Sequence, residues 1–284
     1  MVIIQKKTGQ LANRLFLFSK FIANALEYEY ELINPCFDEY RKYFASTRDN
    51  NFFDLPISVE LNPPVSYTSF FLKTNFLKMV RPVTETYEFV TPANEKPINL
   101  NEPEYVEKAR NKTVYASGWH FNEGKNLVKH ADIIRKIFRP NDDILDLIRK
   151  KILEIRSRHD VIVGVHMRRG DYRRWQGGLY FFEDETYYAN IRKLEAQLKR
   201  EGKSPAFIIC SNEKVSDHFF NDFPAYKTGN GLIEDLYTLA QCDLLIGPPS
   251  TFTMWASFYG ENKLQFIRKR DEIVSDEALN LLMP

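Results

Sequence analysis

The second half of the chain alternates apolar, strand-like runs with helical runs, and this order constrains the fold more than any other feature. VIVGVH at 161–166 leads into the helical TYYANIRKLEAQLKREG and the strand AFIICS. Two helical stretches, EKVSDHFF and LIEDLYTLAQC, precede the strand LLIGPP, the helical TFTMWASFYG and the strand LQFIRK. Short continuous apolar strands separated by helices are the pattern of a parallel sheet covered on both faces. The expectation is a doubly wound α/β domain.

The amino-terminal end opens the same way. VIIQ at 2–5 reads as a strand, Leu11, Leu15, Phe18, Ile22, Ala25 and Leu26 recur at helical spacing, and YELI at 30–33 reads as a second strand. From 35 to 110 the pattern degrades, because Pro56, Pro63, Pro64, Pro82, Pro92, Pro97 and Pro103 interrupt an aromatic-rich stretch. VYASGWH at 114–120 restores a strand, and a charged helical stretch from 130 to 157 carries the chain onward. With 284 residues, 44% of them hydrophobic, the chain accommodates two domains of about 140 residues each. The expected division is 1–130, Rossmann-like, and 131–284.

Several function classes are set aside by composition. A net charge of +1 supplies no global field for nucleic acid or an anionic membrane, so any anion site must be local. Cys36, Cys210 and Cys242 lack paired spacing, which excludes a disulfide framework and fits a reducing compartment. No window holds the ~18 apolar residues of a membrane span, and the start lacks a signal-peptide core; a cytoplasmic location is expected. No DxD triplet, HExxH or Walker lysine loop occurs, so phosphate chemistry here is expected to proceed without a metal.

In a doubly wound sheet, loops leaving the carboxyl ends of the strands converge on one crevice. Three polar loops compete for it. The first is HMRRGDY at 166–172, where Arg168 and Arg169 offer planar forks suited to phosphate oxygens; the alternative is that they form ion pairs with Glu183 and Asp184. The second is GPPSTFTMW at 247–255, where Ser250, Thr251 and Phe252 open a helix whose free amides and dipole suit a phosphate; the alternative is a plain helix cap. The third is TGQLANR at 8–14, with Gly9, Asn13 and Arg14, which equally fits a simple strand-to-helix connection with Asn13 as a helix-start residue. Asp235 could point into the crevice from a helix start or sit on a solvated face. His166 has no paired nucleophile and supports no triad.

His166, Arg168, Arg169 and Asp171 spell HxRRxD at a strand end, and in this the chain resembles the α1,2-, α1,6- and protein O-fucosyltransferase superfamily. DLYTLAQCDLLIGPPSTFTMWA at 235–256 is similar to the later motifs of that family, with Thr251 in place of a serine. TGQLANRLFLFSKFIANAL at 8–26 is similar to its amino-terminal loop and helix; Asn13 matches, while Ala12 and Arg14 depart. CSNE at 210–213 departs too, with Asn212 in an acidic position. Residues 35–150 show no family pattern.

The resemblance implies a GT-B fold of two Rossmann-like domains facing a cleft, with 1–130 as the acceptor-side domain and 131–284 as the nucleotide-sugar-binding one. It also implies a GDP-fucose donor, an acceptor glycan or other hydroxyl, and inverting transfer without a metal or other cofactor. By the same resemblance Arg168 holds the β-phosphate and the departing oxygen, with Arg169 in support. Thr251 and the amides of Thr251 and Phe252 take the pyrophosphate from the other side, His166 and Asp235 meet the guanosine, and Asn13 sits beside the reacting phosphate. Asp171 is expected to position its loop, and Glu183 and Asp184 are candidate bases by proximity alone. A transferase using another nucleotide sugar and a noncatalytic GDP-sugar-binding module remain the alternatives.

Overall fold

The computed structural model describes residues 1–52, 55–62, 76, 86–92, 96–229 and 231–272; Pro63, Pro64 and Pro82 lie outside them. The chain forms two compact units, Met1–Asn141 and Asp142–Pro284.

In the first unit, β1 (Val2–Ile4) is wholly buried and leads into α1 (Leu11–Tyr28). That helix keeps Leu11, Leu15, Phe18, Ile22 and Ala25 inside, as the helical spacing dictates. It ends on Glu29 in the left-handed region (φ 56°), whose amide bonds the Ala25 carbonyl. β2 (Leu32–Ile33), β3 (Val59–Glu60), β4 (Tyr87–Val90) and β6 (Thr113–Ala116) join β1 in a parallel sheet of order β3-β2-β1-β6-β4. A second pair, β5 (Ile98–Asn99) and β7 (Phe121–Asn122), is also parallel. α2 (Pro103–Asn111) starts on a proline, whose missing N–H costs nothing at a helix start.

The charged stretch after 130 is two helices. Ala131–Ile137 belongs to the first unit, and α3 (Asp142–Arg156) opens the second. The boundary therefore falls one short helix later than expected. The reason is burial: Ala131, Ile134, Ile137 and Phe138 are inside the first unit, with Phe138 edge-on to Phe18, Phe37 and Phe44.

The second unit carries β8 (Val161–Met167), α4 (Asp184–Arg200), β9 (Pro205–Ser211), β10 (Ala225–Lys227), α5 (Leu232–Leu239), β11 (Leu244–Gly247), α6 (Thr251–Gly260) and β12 (Lys263–Phe266). All its strands are parallel, in the order β10-β9-β8-β11-β12. The chain builds outward from β8 through β9 to β10, then returns to lay β11 on the other side of β8. The order reverses between β8 and β11, and that is where a ligand crevice opens in such sheets.

Close packing at this junction depends on glycines. A Cβ on Gly247, at the end of β11, would lie 2.7 Å from the His166 carbonyl oxygen. A Cβ on Gly260 would run into the Ala240 carbonyl, so the ends of α5 and α6 can meet closely. Two expectations are corrected. EKVSDHFF is helical only over His218–Asp222, because Asn212 and Glu213 turn their side chains back to the loop after β8. β10 was not foreseen as a strand; it is three residues long and ends on exposed Lys227, too short and too polar for a periodic signal.

Candidate active site

Alternation along β8 sorts the residues that leave it. Val163, Val165 and Met167 face one core with Phe182 and Tyr187. Gly164 faces the other way, its Cα against Leu239, Cys242 and Leu245, and His166 follows it on that face, with its ring 5.1 Å from that of Phe252. The same alternation continues one step past the strand and separates the two arginines.

Arg169 follows Met167. Its side chain is buried, donating to the Phe182 carbonyl at 2.8 Å and to the Asp184 carboxylate at the start of α4, with Glu183 at 3.7 Å. The rings of Phe181 and Tyr187 lie about it at 5.5 and 5.6 Å. Its backbone N–H donates to Asn212 Oδ1 at 2.8 Å. Arg169 thus takes the ion-pair role that was the alternative for both arginines. Asp184 is engaged by that guanidinium, while Glu183 is 65% exposed.

Arg168 follows His166. Its Nη2 pairs with Asp171 at 2.8 Å, and its guanidinium lies 5.3 Å from the Tyr172 ring centre. Asp171 therefore holds the Arg168 guanidinium in place. Arg168 Nε is buried without a hydrogen-bond partner among the described residues, and so is Nδ1 of His166. Burial first, and the neighbouring Arg168 charge second, hold the His166 imidazole down to about 3, so it is neutral at physiological pH. Buried polar atoms are nearly always paired, and these two belong to residues at the reversal of strand order.

The loop after β8 is fixed at several points. Gly170 adopts φ +56°, where a side chain would be strained, and its amide bonds Glu213 Oε1 at 3.1 Å. Arg173 also pairs with Glu213, at 2.6 Å. Tyr172, which the motif reading passed over, donates its hydroxyl to the Pro249 carbonyl at 2.7 Å, tying this turn to the segment that opens α6. A buried tyrosine's need for a partner for its hydroxyl was the available signal.

At α6, Ser250 caps the helix, its Oγ accepting from the Phe252 amide at 3.2 Å. Ser250 is thus the plain cap foreseen as the alternative, and the same geometry leaves the positive end of the helix dipole, with Thr251 and Phe252, next to His166. Asp235 sits half-buried in the first turn of α5; the Cys210 thiol lies 3.9 Å from its carboxylate, and burial and that carboxylate both push the thiol's pKa up. Cys210 is the β9 partner of His166, so His166, Cys210 and Asp235 form one row. His166, Arg168, Asp171, Asp235, Ser250, Thr251 and Phe252 are all brought to the carboxyl edge of this sheet.

Asn13 and Arg14 belong to the first unit. The helix starts at Leu11 with Gln10 as its cap residue, so Asn13 lies in the first turn, against Gly9 (φ +64°). Arg14 is committed locally, donating to Gly9 O at 3.1 Å and to Glu39 at 2.8 Å and lying 5.1 Å from the Tyr40 ring. Among the described residues no group of three or more His, Cys, Asp and Glu side chains is placed to hold a metal, and no helix is long and apolar enough to cross a membrane.

This architecture has known counterparts. The structure of an Arabidopsis thaliana FUT1 mutant in complex with GDP superposes with a TM-score of 0.63 at 12% identity, covering 98% of this chain and 72% of that one. The α-1,6-fucosyltransferase NodZ soaked with GDP-fucose gives 0.55 at 15% identity, covering 91% and 92%; a fucosyltransferase NodZ from Bradyrhizobium gives 0.51 at 18%, covering 90% of each. The fold is the GT-B type that these structures share. In sequence, the O-antigen biosynthesis glycosyltransferase WbnK of Escherichia coli is 23% identical over 281 residues, 90% of this chain and 83% of the relative. The family model described as glycosyl transferase family 11 matches residues 101–273. The match begins inside the 35–150 stretch where no family pattern was legible, and it takes in every candidate residue of the second unit. The chain is a glycosyltransferase and belongs to glycosyl transferase family 11.

Proposed function

We propose that the enzyme transfers fucose from GDP-fucose to a glycan hydroxyl, inverting the anomeric carbon and using no metal. The observation that carries this reading is the pair of orphaned buried nitrogens, His166 Nδ1 and Arg168 Nε, where the strand order reverses beside the start of α6. In support, structures of the same fold carry GDP or were soaked with GDP-fucose.

Transfer breaks the bond between fucose C1 and the β-phosphate oxygen, and the electron pair departs on GDP. The acceptor oxygen forms its bond to C1 from the opposite face and gives up its proton to the surrounding water. Negative charge grows on the phosphate while the sugar becomes cation-like. Arg168, its plane set by Asp171, neutralises that charge, and donors fixed in advance in this way are worth several kcal/mol. The start of α6, with Thr251 and Phe252, adds the helix dipole on the other side. Neutral His166 hydrogen-bonds the nucleotide without titrating, and Asp235 accepts from it further along the edge. Arg169 works as a positioning residue, since its guanidinium is spent on Phe182 and Asp184. Asn13 enters only through the family pattern.

A nucleotide-sugar panel tests the donor. A ligand that binds only the folded state raises the melting temperature, so GDP and GDP-fucose are expected to raise it. UDP-, ADP- and CMP-sugars at the same concentration are expected to leave it unmoved. A shift with a UDP-sugar and none with GDP-fucose would overturn the donor assignment.

A further inference from the structure

Beyond the motif lies a loop that the reaction as described does not use. The guanidinium of Arg168 rests 5.3 Å from the centre of the Tyr172 ring, Tyr172 stacks on Trp175 at 4.8 Å and 28°, and Trp175 meets Tyr180 at 5.8 Å. Tyr172 is buried and pinned through its hydroxyl to Pro249, yet Trp175, one ring further out, is 42% exposed. The turn that follows holds Gln176, Gly177 and Gly178 all at positive φ, of 49°, 67° and 79°. For Gln176 that conformation is costly, and such residues persist where the surrounding structure demands them.

A tryptophan held rigidly by neighbouring rings, while keeping much of its surface in water, is poorly explained as core. The C–H-rich face of a pyranose is apolar and packs on an indole, while its hydroxyls stay free to bond water or polar groups, and binding sites place aromatic side chains for this purpose. The position selects which sugar. The transferred fucose is bonded directly to the phosphate that Arg168 grips, so it lies within reach of that guanidinium. A ring two aromatic contacts further out meets the sugar beyond it.

We infer that Trp175 is the stacking platform for a pyranose ring of the acceptor glycan, and that the loop Tyr172–Tyr180 sets acceptor specificity. The inference rests on the proposed fucosyl transfer. Because the platform, Tyr172 and Arg168 form one column, acceptor stacking also braces the residue that holds the leaving group.

The test takes the neutral disaccharide that the wild-type enzyme fucosylates best from a panel, with GDP-fucose as donor. Trp175→Ala is expected to raise the KM for that disaccharide about fivefold or more, from ~1 kcal/mol of lost stacking. The affinity for GDP, measured by calorimetry, is expected to stay unchanged. Trp175→Phe, which keeps a ring, is expected to recover most of the loss. An unchanged acceptor KM in folded Trp175→Ala, or a change in GDP affinity of the same size as the change in KM, would overturn the inference. If the wild-type enzyme turns over no disaccharide with GDP-fucose, the reading of the reaction fails instead, so the two failures are distinct.

Discussion

Arg169 and Asp184 form an ion pair across the base of the site, joining the end of β8 to the first residue of α4. The arginine is 8% exposed and the aspartate 27%. Removing one partner leaves the other buried and uncompensated, whereas removing both is tolerated far better. Arg169→Met is expected to cost about 3 kcal/mol of stability, at the low end of that effect because Asp184 still meets water. The double variant with Asp184→Leu is expected to cost less than the two single changes added together. Urea denaturation of the three variants reads this directly; equal and additive losses would show that the pair is not coupled.

Gly247 is the point where β11 comes closest to β8. Alanine there would place its Cβ 2.7 Å from a backbone oxygen, that of His166, and backbone cannot yield as a side-chain end can. Gly247→Ala is therefore expected to destabilise the protein by about 1–3 kcal/mol. Nucleotide affinity is expected to fall as well, because any relief moves His166. A melting temperature within a degree of wild type would contradict the packing described.

His166 gives the acid limb of stability a defined sign. Its folded pKa, about 3, lies below its ordinary value of 6.5, so between those values the unfolded chain binds a proton that the folded chain does not. Stability is full above pH 6.5 and falls as pH drops towards 3, by up to ~1.4 kcal/mol per pH unit from this group. His166→Asn removes the titration and is expected to flatten the decline between pH 6.5 and 4, measured by denaturation at each pH. A decline of unchanged slope in that variant would show that other groups carry it.

Much of this was legible because local pattern and tertiary fold agree. TFTMWASFYG spans the observed helix α6 and VIVGVH all but the last residue of β8, since each is an apolar run closed by a cap or a turn. The gathering of HMRRGDY and GPPST at one sheet edge followed from the alternation of strands and helices, which puts every strand's carboxyl end on the same edge. The division of labour between Arg168 and Arg169 did not. Period-two alternation says that adjacent residues face apart, but only the sheet order reveals that one face carries the start of α6 and the other the start of α4. EKVSDHFF misled for a related reason: its apolar spacing is helical, yet the side chains of Asn212 and Glu213 are spent on the amides of Arg169 and Gly170. Trp175 drew no notice because an exposed aromatic acquires meaning only from the ring beneath it.

The most direct test of the central claim is transfer by Arg168→Ala, read beside its melting temperature. If Arg168 stabilises the departing phosphate, the variant keeps its fold while kcat falls by about 10²–10³. Arg168→Lys, which keeps a charge but loses the planar fork, is expected to recover only a small part of that loss. A folded Arg168→Ala enzyme with near-native turnover of GDP-fucose would contradict the account.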